Sequence, residues 1–201
     1  DRLNNFKALG LRENAMVPYA KEHTSVDVQK VVDPTLLLKE EDYNEILEPR
    51  LEKEKYLLIY ARRRNDKMSE FAEKLAKENG WKIIEISLQA KNAEKHRMFY
   101  EAGVEEFLSL VKNAEYIVTN SFHGMIFSVQ FRKQFVIFSR EQCDTKIAEL
   151  LEMFGLSDRM LTTGEEKFNT NINYDDVHQR IEIERSKSLQ FLKEKLEKCN
   201  N

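Results

Sequence analysis

Three polar clusters carry residue types that could handle a small anion. Arg62-Arg63-Arg64 offers guanidinium forks, whose planar donors match carboxylate or phosphate oxygens. On an extended segment Arg62 and Arg64 share one side and Arg63 takes the other. Thr119-Asn120-Ser121-Phe122-His123-Gly124 combines a helix-capping residue, a titratable imidazole and a glycine. Asn120 or Ser121 can cap a helix whose first amides suit an anion. Gly124 allows close approach by a ligand or a neighbouring strand. His123 can donate, accept or transfer a proton near neutral pH. Ser139-Arg140 forms the third cluster. Each also has a structural reading. The arginines suit a solvated loop, Arg140 suits a surface position, and His123 suits a helix cap bonding a neighbouring loop. His23, His96 and His178 lie in charged stretches and read as surface residues. Met125 and Phe127 read as core. No Gly-rich dinucleotide fingerprint, phosphate-binding loop or nucleophile elbow occurs.

The elements around these clusters place all three on one edge. Tyr56–Ala61 is a continuous apolar run of strand length, as in a strand covered on both faces. Lys82–Ser87, Tyr116–Thr119 and Phe135–Phe138 read as further strands, with a short one at Met160–Thr163. Between them, Met68, Phe71, Ala72, Leu75 and Ala76 mark one helical face, and Gly80 supplies its stop. Val104, Phe107, Leu108 and Val111 form a second stripe. Gly124–Phe131 is apolar all round and predicts a buried helix. Ile147, Leu150, Leu151 and Phe154 form another stripe, closed by Gly155. Residues 88–102 are polar and carry no clear pattern. Ahead of this series come a loop or helix around Leu11–Glu22, the helix broken or kinked by Pro18, a strand over Val28–Val32 and a short helix within Glu40–Leu47. A long charged helix over Asp175–Lys198 follows, with Ile181, Ser188, Leu189, Leu192 and Leu196 as its packing side. Strand–helix alternation predicts an α/β fold, a Rossmann-like parallel sheet with helices on both faces. Ligands of such sheets bind beyond the carboxyl ends of the strands, where the three clusters fall.

The 201 residues suffice for one sizeable core, and 41% apolar content excludes a disordered chain. With only 6 Gly and 3 Pro, a turn-rich β-sandwich is disfavoured. The net charge of −3 gives no global basic field for nucleic acid. No apolar run approaches the roughly 18 residues of a membrane span. Cys143 and Cys199 are far apart and show no metal or disulfide spacing, which suits a reducing compartment. No signal peptide is visible, so a cytoplasmic location is expected, with a peripheral position at the inner face of the membrane left open. The absence of an initiating Met suggests a trimmed chain or a fragment.

Residues 113–128, Asn113-Ala114-Glu115-Tyr116-Ile117-Val118-Thr119-Asn120-Ser121-Phe122-His123-Gly124-Met125-Ile126-Phe127-Ser128, resemble the signature of bacterial polysaccharide pyruvyl transferases. Leu11-Arg12-Glu13, Asp33-Pro34-Thr35-Leu36-Leu37-Leu38, Leu150-Leu151 through Gly155-Leu156-Ser157-Asp158-Arg159, and Ser186 to Leu192 agree in order. The resemblance implies the C-terminal half of a GT-B-type two-domain fold. Residues 1–33 would be a remnant of the N-terminal domain and linker, 34–164 the Rossmann-like C-terminal domain, and 165–201 a tail helix packing back towards the N-terminal domain. It implies transfer of the enolpyruvyl part of phosphoenolpyruvate to a sugar hydroxyl in surface-polysaccharide biosynthesis. His123 would be catalytic, with Arg62, Arg64, Asn120, Ser121, Gly124 and Arg140 binding substrate. No cofactor or metal is implied; phosphoenolpyruvate is the donor, and a glycan or lipid-linked sugar the acceptor. Some members carry arginine at the position of Ser121, so anion binding here would fall to Arg62, Arg64, Arg140 or the helix amides. Many relatives carry arginine at Lys146; the charge is kept without the fork. The alternatives are a sugar-modifying transferase using a nucleotide-sugar donor and a non-catalytic carbohydrate-binding domain. The chain alone is expected to fold and to bind phosphate-like anions weakly without turning over, and its exposed face near Leu9–Pro18 and the tail helix to show apolar residues or pair with a second copy.

Overall fold

The computed structural model describes residues 2–140 and 144–197. Cys143, Cys199 and Lys198 lie outside them. The chain divides into two compact units, one running from Glu40 to Tyr174, the other combining the residues up to Lys39 with those from Asp175 onward.

The larger unit is an α/β domain on a six-stranded, all-parallel sheet. Its strands are β3 (Tyr56–Tyr60), β4 (Lys82–Ile86), β5 (Arg97–Met98), β6 (Tyr116–Thr119), β7 (Phe135–Phe138) and β8 (Met160–Leu161), in the order β5-β4-β3-β6-β7-β8. The chain winds outward from β3 in one direction and then from β6 in the other, so the order reverses between β3 and β6. That is the doubly wound pattern whose ligand crevice opens at the reversal. Pairing is in register across this point, with Tyr60 opposite Thr119.

The strand interiors are buried on both faces, which explains the unbroken apolar runs. On one face Leu57, Ile59, Val118, Val136 and Phe138 pack with Met68, Ala72 and Ala76 of helix α2 (Asp66–Asn79). Asn65 caps α2 by accepting the Met68 N–H at 3.0 Å. Gly80 ends it in the left-handed conformation, φ 67°, where a Cβ would be strained. The opposite face carries α3 (Val104–Asn113) and α4 (Phe122–Gln130). There Tyr56 donates its hydroxyl to the Leu110 carbonyl at 2.7 Å. Phe107 packs on Tyr60 and Phe127, with ring centroids 4.7 and 5.7 Å away. Helix α5 (Asp144–Phe154) joins β7 to β8. Arg159 is fully buried beyond it. It donates to the carbonyls of Phe135 and Asn169 and lies over the Phe168 ring, pinning this end of the sheet.

The smaller unit holds two parallel strands, β1 (Ala8–Leu11) and β2 (Asp27–Lys30), joined through helix α1 (Met16–His23). Strand β1 was not expected, and the helix starts five residues later than its predicted Leu11. Pro18 falls in the first turn of α1, where its missing N–H has no intrahelical partner to lose. Helix α6 (Tyr174–Glu197) buries Val177, Ile181, Arg185, Ser188 and Phe191. This corrects the predicted packing side: Leu189, Leu192 and Leu196 are exposed. The true stripe follows 3.6-residue spacing through a buried arginine, a residue type that hides such a stripe. Arg185 is satisfied by the carbonyls of Leu36 (2.7 Å) and Leu38 (3.0 Å) and by Glu182 (2.5 Å). Asp33 caps the turn Pro34–Leu36, accepting from Thr35 N–H and from Arg12 at 2.6 Å. Among the described residues, no helix is long and apolar enough to cross a membrane.

Candidate active site

Because β3, β6 and β7 are parallel neighbours, the loops that leave their carboxyl ends share one edge. The Arg62–Arg64 loop, the Asn120–His123 turn and Ser139-Arg140 all lie there, as the topology argument expects.

The β6–α4 turn is almost wholly buried and internally bonded. Thr119 donates its hydroxyl to the Tyr60 carbonyl (2.6 Å) and accepts the Ser121 N–H (3.0 Å). Asn120 accepts the Arg62 N–H at 2.8 Å and donates to the Arg63 carbonyl at 2.7 Å. This side chain therefore latches the arginine loop to the turn across the point where the strand order reverses. Ser121 is the N-cap of α4, accepting the Gly124 N–H at 3.3 Å. Ser128 closes the next turn on the Gly124 carbonyl at 2.7 Å. A Cβ on Gly124 would overlap the Thr119 hydroxyl and come within 2.9 Å of the Tyr60 ring, so the glycine serves close helix–strand packing. Asn120, Ser121 and Gly124 thus build the turn with their own atoms.

His123 is the exposed residue of this turn. It stands on the first turn of α4, its ring 5.4 Å from that of Phe122. Lys146 lies 5.2 Å over the other side chain of this pair, the Phe122 ring. A helix N-terminus, an imidazole and an ammonium group therefore cluster at the carboxyl edge, a combination favourable to anions. Lys146 was noted in the sequence only through the resemblance; its contact with Phe122 is a tertiary feature.

The arginines differ from one another. Arg62 is exposed and its backbone is fixed by Asn120. Arg64 is exposed but its fork is engaged by Asp66, at 3.1 and 2.8 Å. Hydrogen bonds from Arg64 and then Lys91 hold the Asp66 carboxyl down at about 2. Arg140 is half-buried, and its N–H donates to Asp144 at 2.6 Å. Ser139 donates to the same carboxylate at 2.6 Å.

One histidine departs from expectation. His96 is buried, because it partners a buried carboxylate, Glu85, on β4. Its Nδ1 lies 2.6 Å from Glu85 Oε2, and since a carboxylate only accepts, Nδ1 carries the proton. Glu85 also accepts from Ser87 and from Asn92, the latter at 2.8 Å. Burial pushes the Glu85 carboxyl up, but the hydrogen bonds from His96, Ser87 and Asn92 outweigh it and hold the group below its ordinary value. His23 is exposed and His178 half-buried.

The crossover from β4 to β5 contains only a short 3-10 turn, Ala90–Asn92, in place of a helix. Beside it a cavity of about 510 Å³ opens past the ends of β3 and β4. Tyr60, Phe99, Tyr100 and Phe107 supply aromatic walls, and Arg62 and Gln89 polar ones. This aromatic pocket was missed in the sequence, where residues 88–102 read as patternless. Among the described residues no three acidic, histidine or cysteine side chains gather as metal ligands.

A doubly wound domain with a cationic, histidine-bearing strand end is an architecture that binds ligands beyond the carboxyl ends of its strands. The profile of the polysaccharide pyruvyl transferase family matches residues 1–142, most of the chain. The chain belongs to that family. Comparison with curated proteins gives no match. Among solved structures, the UDP-GlcNAc 2-epimerase of Methanocaldococcus jannaschii, in complex with UDP-GlcNAc and UDP, is similar over 76% of this chain and 42% of its own, at 18% identity and a TM-score of 0.41. The chain thus spans less than half the length of that enzyme.

Proposed function

We propose that this chain forms the donor side of an enzyme that transfers a pyruvyl group from phosphoenolpyruvate to a sugar hydroxyl in surface-polysaccharide assembly. The observation that carries the reading is the family's histidine, His123, exposed on the first turn of α4, next to Phe122, whose ring carries Lys146 over it. Phosphoenolpyruvate brings a carboxylate and a phosphate, which the α4 terminus, Lys146, Arg62 and Arg140 are suited to hold. Arg64, already paired with Asp66, contributes less. Asn120, Ser121 and Gly124 act by shaping the turn.

In the reaction, a proton adds to the methylene carbon of phosphoenolpyruvate. The sugar hydroxyl forms a C–O bond to the adjacent carbon and loses its proton. The C–O bond to phosphate breaks, and a second hydroxyl adds to the same carbon and gives up its proton to phosphate or solvent, closing the pyruvate ketal. Protonated His123 supplies or relays the first proton or stabilises departing phosphate. The reading places residues 34–164 as the C-terminal domain of a GT-B-type enzyme. Its flanks, 1–33 and 165–201, belong with the N-terminal domain, a division supported by the separate compact unit that the two ends of the chain build.

Calorimetric titration of the chain tests this. Phosphoenolpyruvate binds, nucleotide-sugars do not, and His123→Gln and Lys146→Ala each weaken binding. Binding of a nucleotide-sugar but not phosphoenolpyruvate overturns the reading. In an enzyme carrying both domains, His123→Gln lowers turnover by about 10²–10⁴ with little change in melting temperature. A phosphate-release assay on the 201 residues alone shows no multiple turnovers; clear turnover would mean that one domain suffices.

A further inference from the structure

Of the residues that line the aromatic pocket beside the β4–β5 crossover, only Arg62 belongs to the proposed donor cluster. We propose that it binds a neutral pyranose ring of the acceptor glycan. The word acceptor rests on the pyruvyl-transfer reading; the chemistry of the pocket does not.

Its walls suit a sugar ring. Tyr60 and Phe107 form a tilted pair with centroids 4.7 Å apart, and Phe99 and Tyr100 stand with them around the cavity. The negative face of an aromatic ring attracts the apolar, weakly positive C–H face of a pyranose. Arg62 and Gln89 line the same space and can meet hydroxyl groups at the ring edge. A volume of about 510 Å³ falls within the usual range for small-molecule sites.

The helix beside the cavity does little to hold a nucleotide's phosphate, and Arg62, the charged side chain of the lining, stands on the side of the donor cluster. The N-terminus of α3 borders the cavity through Gly103 and Val104, yet its first turn carries Glu105 and Glu106. Those carboxylates offset the helix dipole and repel phosphate. The rim is apolar and open to solvent: Leu88 is 90% exposed, Tyr100 51% and Val104 62%. Solvent-facing apolar groups gathered at one cavity mouth mark a binding surface.

Position links the pocket to the reaction edge. Arg62 lines the cavity, and its N–H is bonded to Asn120, one residue before the α4 cap. A ring seated here presents its hydroxyls beside the donor cluster.

Glu85 is a positioning residue for this pocket. It gathers Ser87, Asn92 and His96, and Ser87 in turn accepts the Gln89 N–H at 3.0 Å. Its own carbonyl accepts the Phe99 N–H at 2.8 Å. The segment that carries Leu88, Gln89, Phe99 and Tyr100 is therefore tied to one strand residue.

The test is a heteronuclear NMR titration of the isotope-labelled 201-residue chain. Its probes are methyl β-galactopyranoside, methyl α-glucopyranoside, methyl N-acetyl-β-glucosaminide, uridine monophosphate and phosphoenolpyruvate. At least one glycoside shifts the Leu88, Gln89, Tyr100 and Val104 resonances saturably. Tyr100→Ala weakens that binding about tenfold, and so does Leu88→Asp, a change at a solvent-facing position that leaves the fold intact. The shifts survive His123→Gln. No saturable shift from any glycoside, shifts unchanged in both pocket variants, or shifts there from uridine monophosphate alone each overturn the proposal. Phosphoenolpyruvate shifting the α4 terminus while glycosides leave the pocket silent defeats the pocket but spares the pyruvyl-transfer reading. Glycoside shifts without any effect of phosphoenolpyruvate do the reverse.

Discussion

The β6–α4 turn and the β4–β5 crossover leave the same edge of the same sheet, but they are built in opposite ways. In the turn, Thr119, Asn120, Ser121 and Ser128 are buried and bonded to backbone groups nearby, and Gly124 removes the last space for adjustment. The crossover has no full helix, exposes Leu88 and Tyr100, and is gathered on its buried side by the carboxylate of Glu85, with the Lys91–Asp66 and Lys95–Glu73 pairs at its surface. A group that must meet a reacting atom within a fraction of an ångström needs the first kind of support. A surface that selects among sugars can be carried on the second, because loop residues change without disturbing the layers beneath.

The sharpest way to break this contrast is at the buried carboxylate of Glu85. Glu85→Ala strips His96, Asn92 and Ser87 of a buried partner and costs about 3 kcal/mol, read from urea denaturation. A loss below about 0.5 kcal/mol, the scale of an ordinary surface change, would mean that the crossover is held elsewhere. In the turn, Gly124→Ala forces the Thr119 hydroxyl and the Tyr60 ring aside and costs about 2 kcal/mol. Asn120→Ala unties two backbone groups of the arginine loop, which water can partly satisfy, and costs about 1 kcal/mol.

Acid sharpens the comparison further. The folded Glu85 carboxyl titrates below its ordinary value near 4.5, so its contribution is complete above that pH and is lost as pH falls through the lower folded value. Stability measured from pH 6 down to pH 3 declines less steeply in Glu85→Gln than in the unsubstituted protein. Equal slopes would remove Glu85 as the acid-sensitive support. The smallest effect belongs to Arg64→Ala: the exposed pair with Asp66 yields no measurable change in melting temperature. A clear drop there would show that the arginine loop depends on more than the Asn120 latch.

Much of this edge was legible in the sequence, for physical reasons. Tyr116–Thr119 and Phe135–Phe138 matched their strands to the residue because strands covered on both faces need unbroken apolar runs. With those strands parallel, the strand-end rule located the three polar clusters. Strand β1 was hidden because it is only partly buried and its apolar run is broken by Gly10, where a Cβ would come within 3.2 Å of Val31. Strand β5 has two residues and begins with Arg97. Glu85 and His96 were illegible for another reason: a charge in a strand looks solvated until its partners, eleven and fewer residues away, fold over it. The Asn120 latch joins residues 57 and 58 positions apart, a distance no local pattern spans.

The smaller unit has a consequence for how the chain is made. Val32 donates its N–H to Ser188, 156 positions later, and Arg185 reaches back 149 positions to Leu36. Closing so wide a loop adds little to its equilibrium cost, about 0.6 kcal/mol per doubling of length. Time is the greater constraint. At a synthesis rate of about 5–20 residues per second, the Asp33–Leu38 turn waits about 7–30 seconds for the helix that completes it. The uninterrupted segment from Glu40 to Tyr174 emerges whole before then. The ribosome therefore delivers the six-stranded layers first and leaves the Asp33–Leu38 turn without its partner until the helix that carries Arg185 and Ser188 has been made.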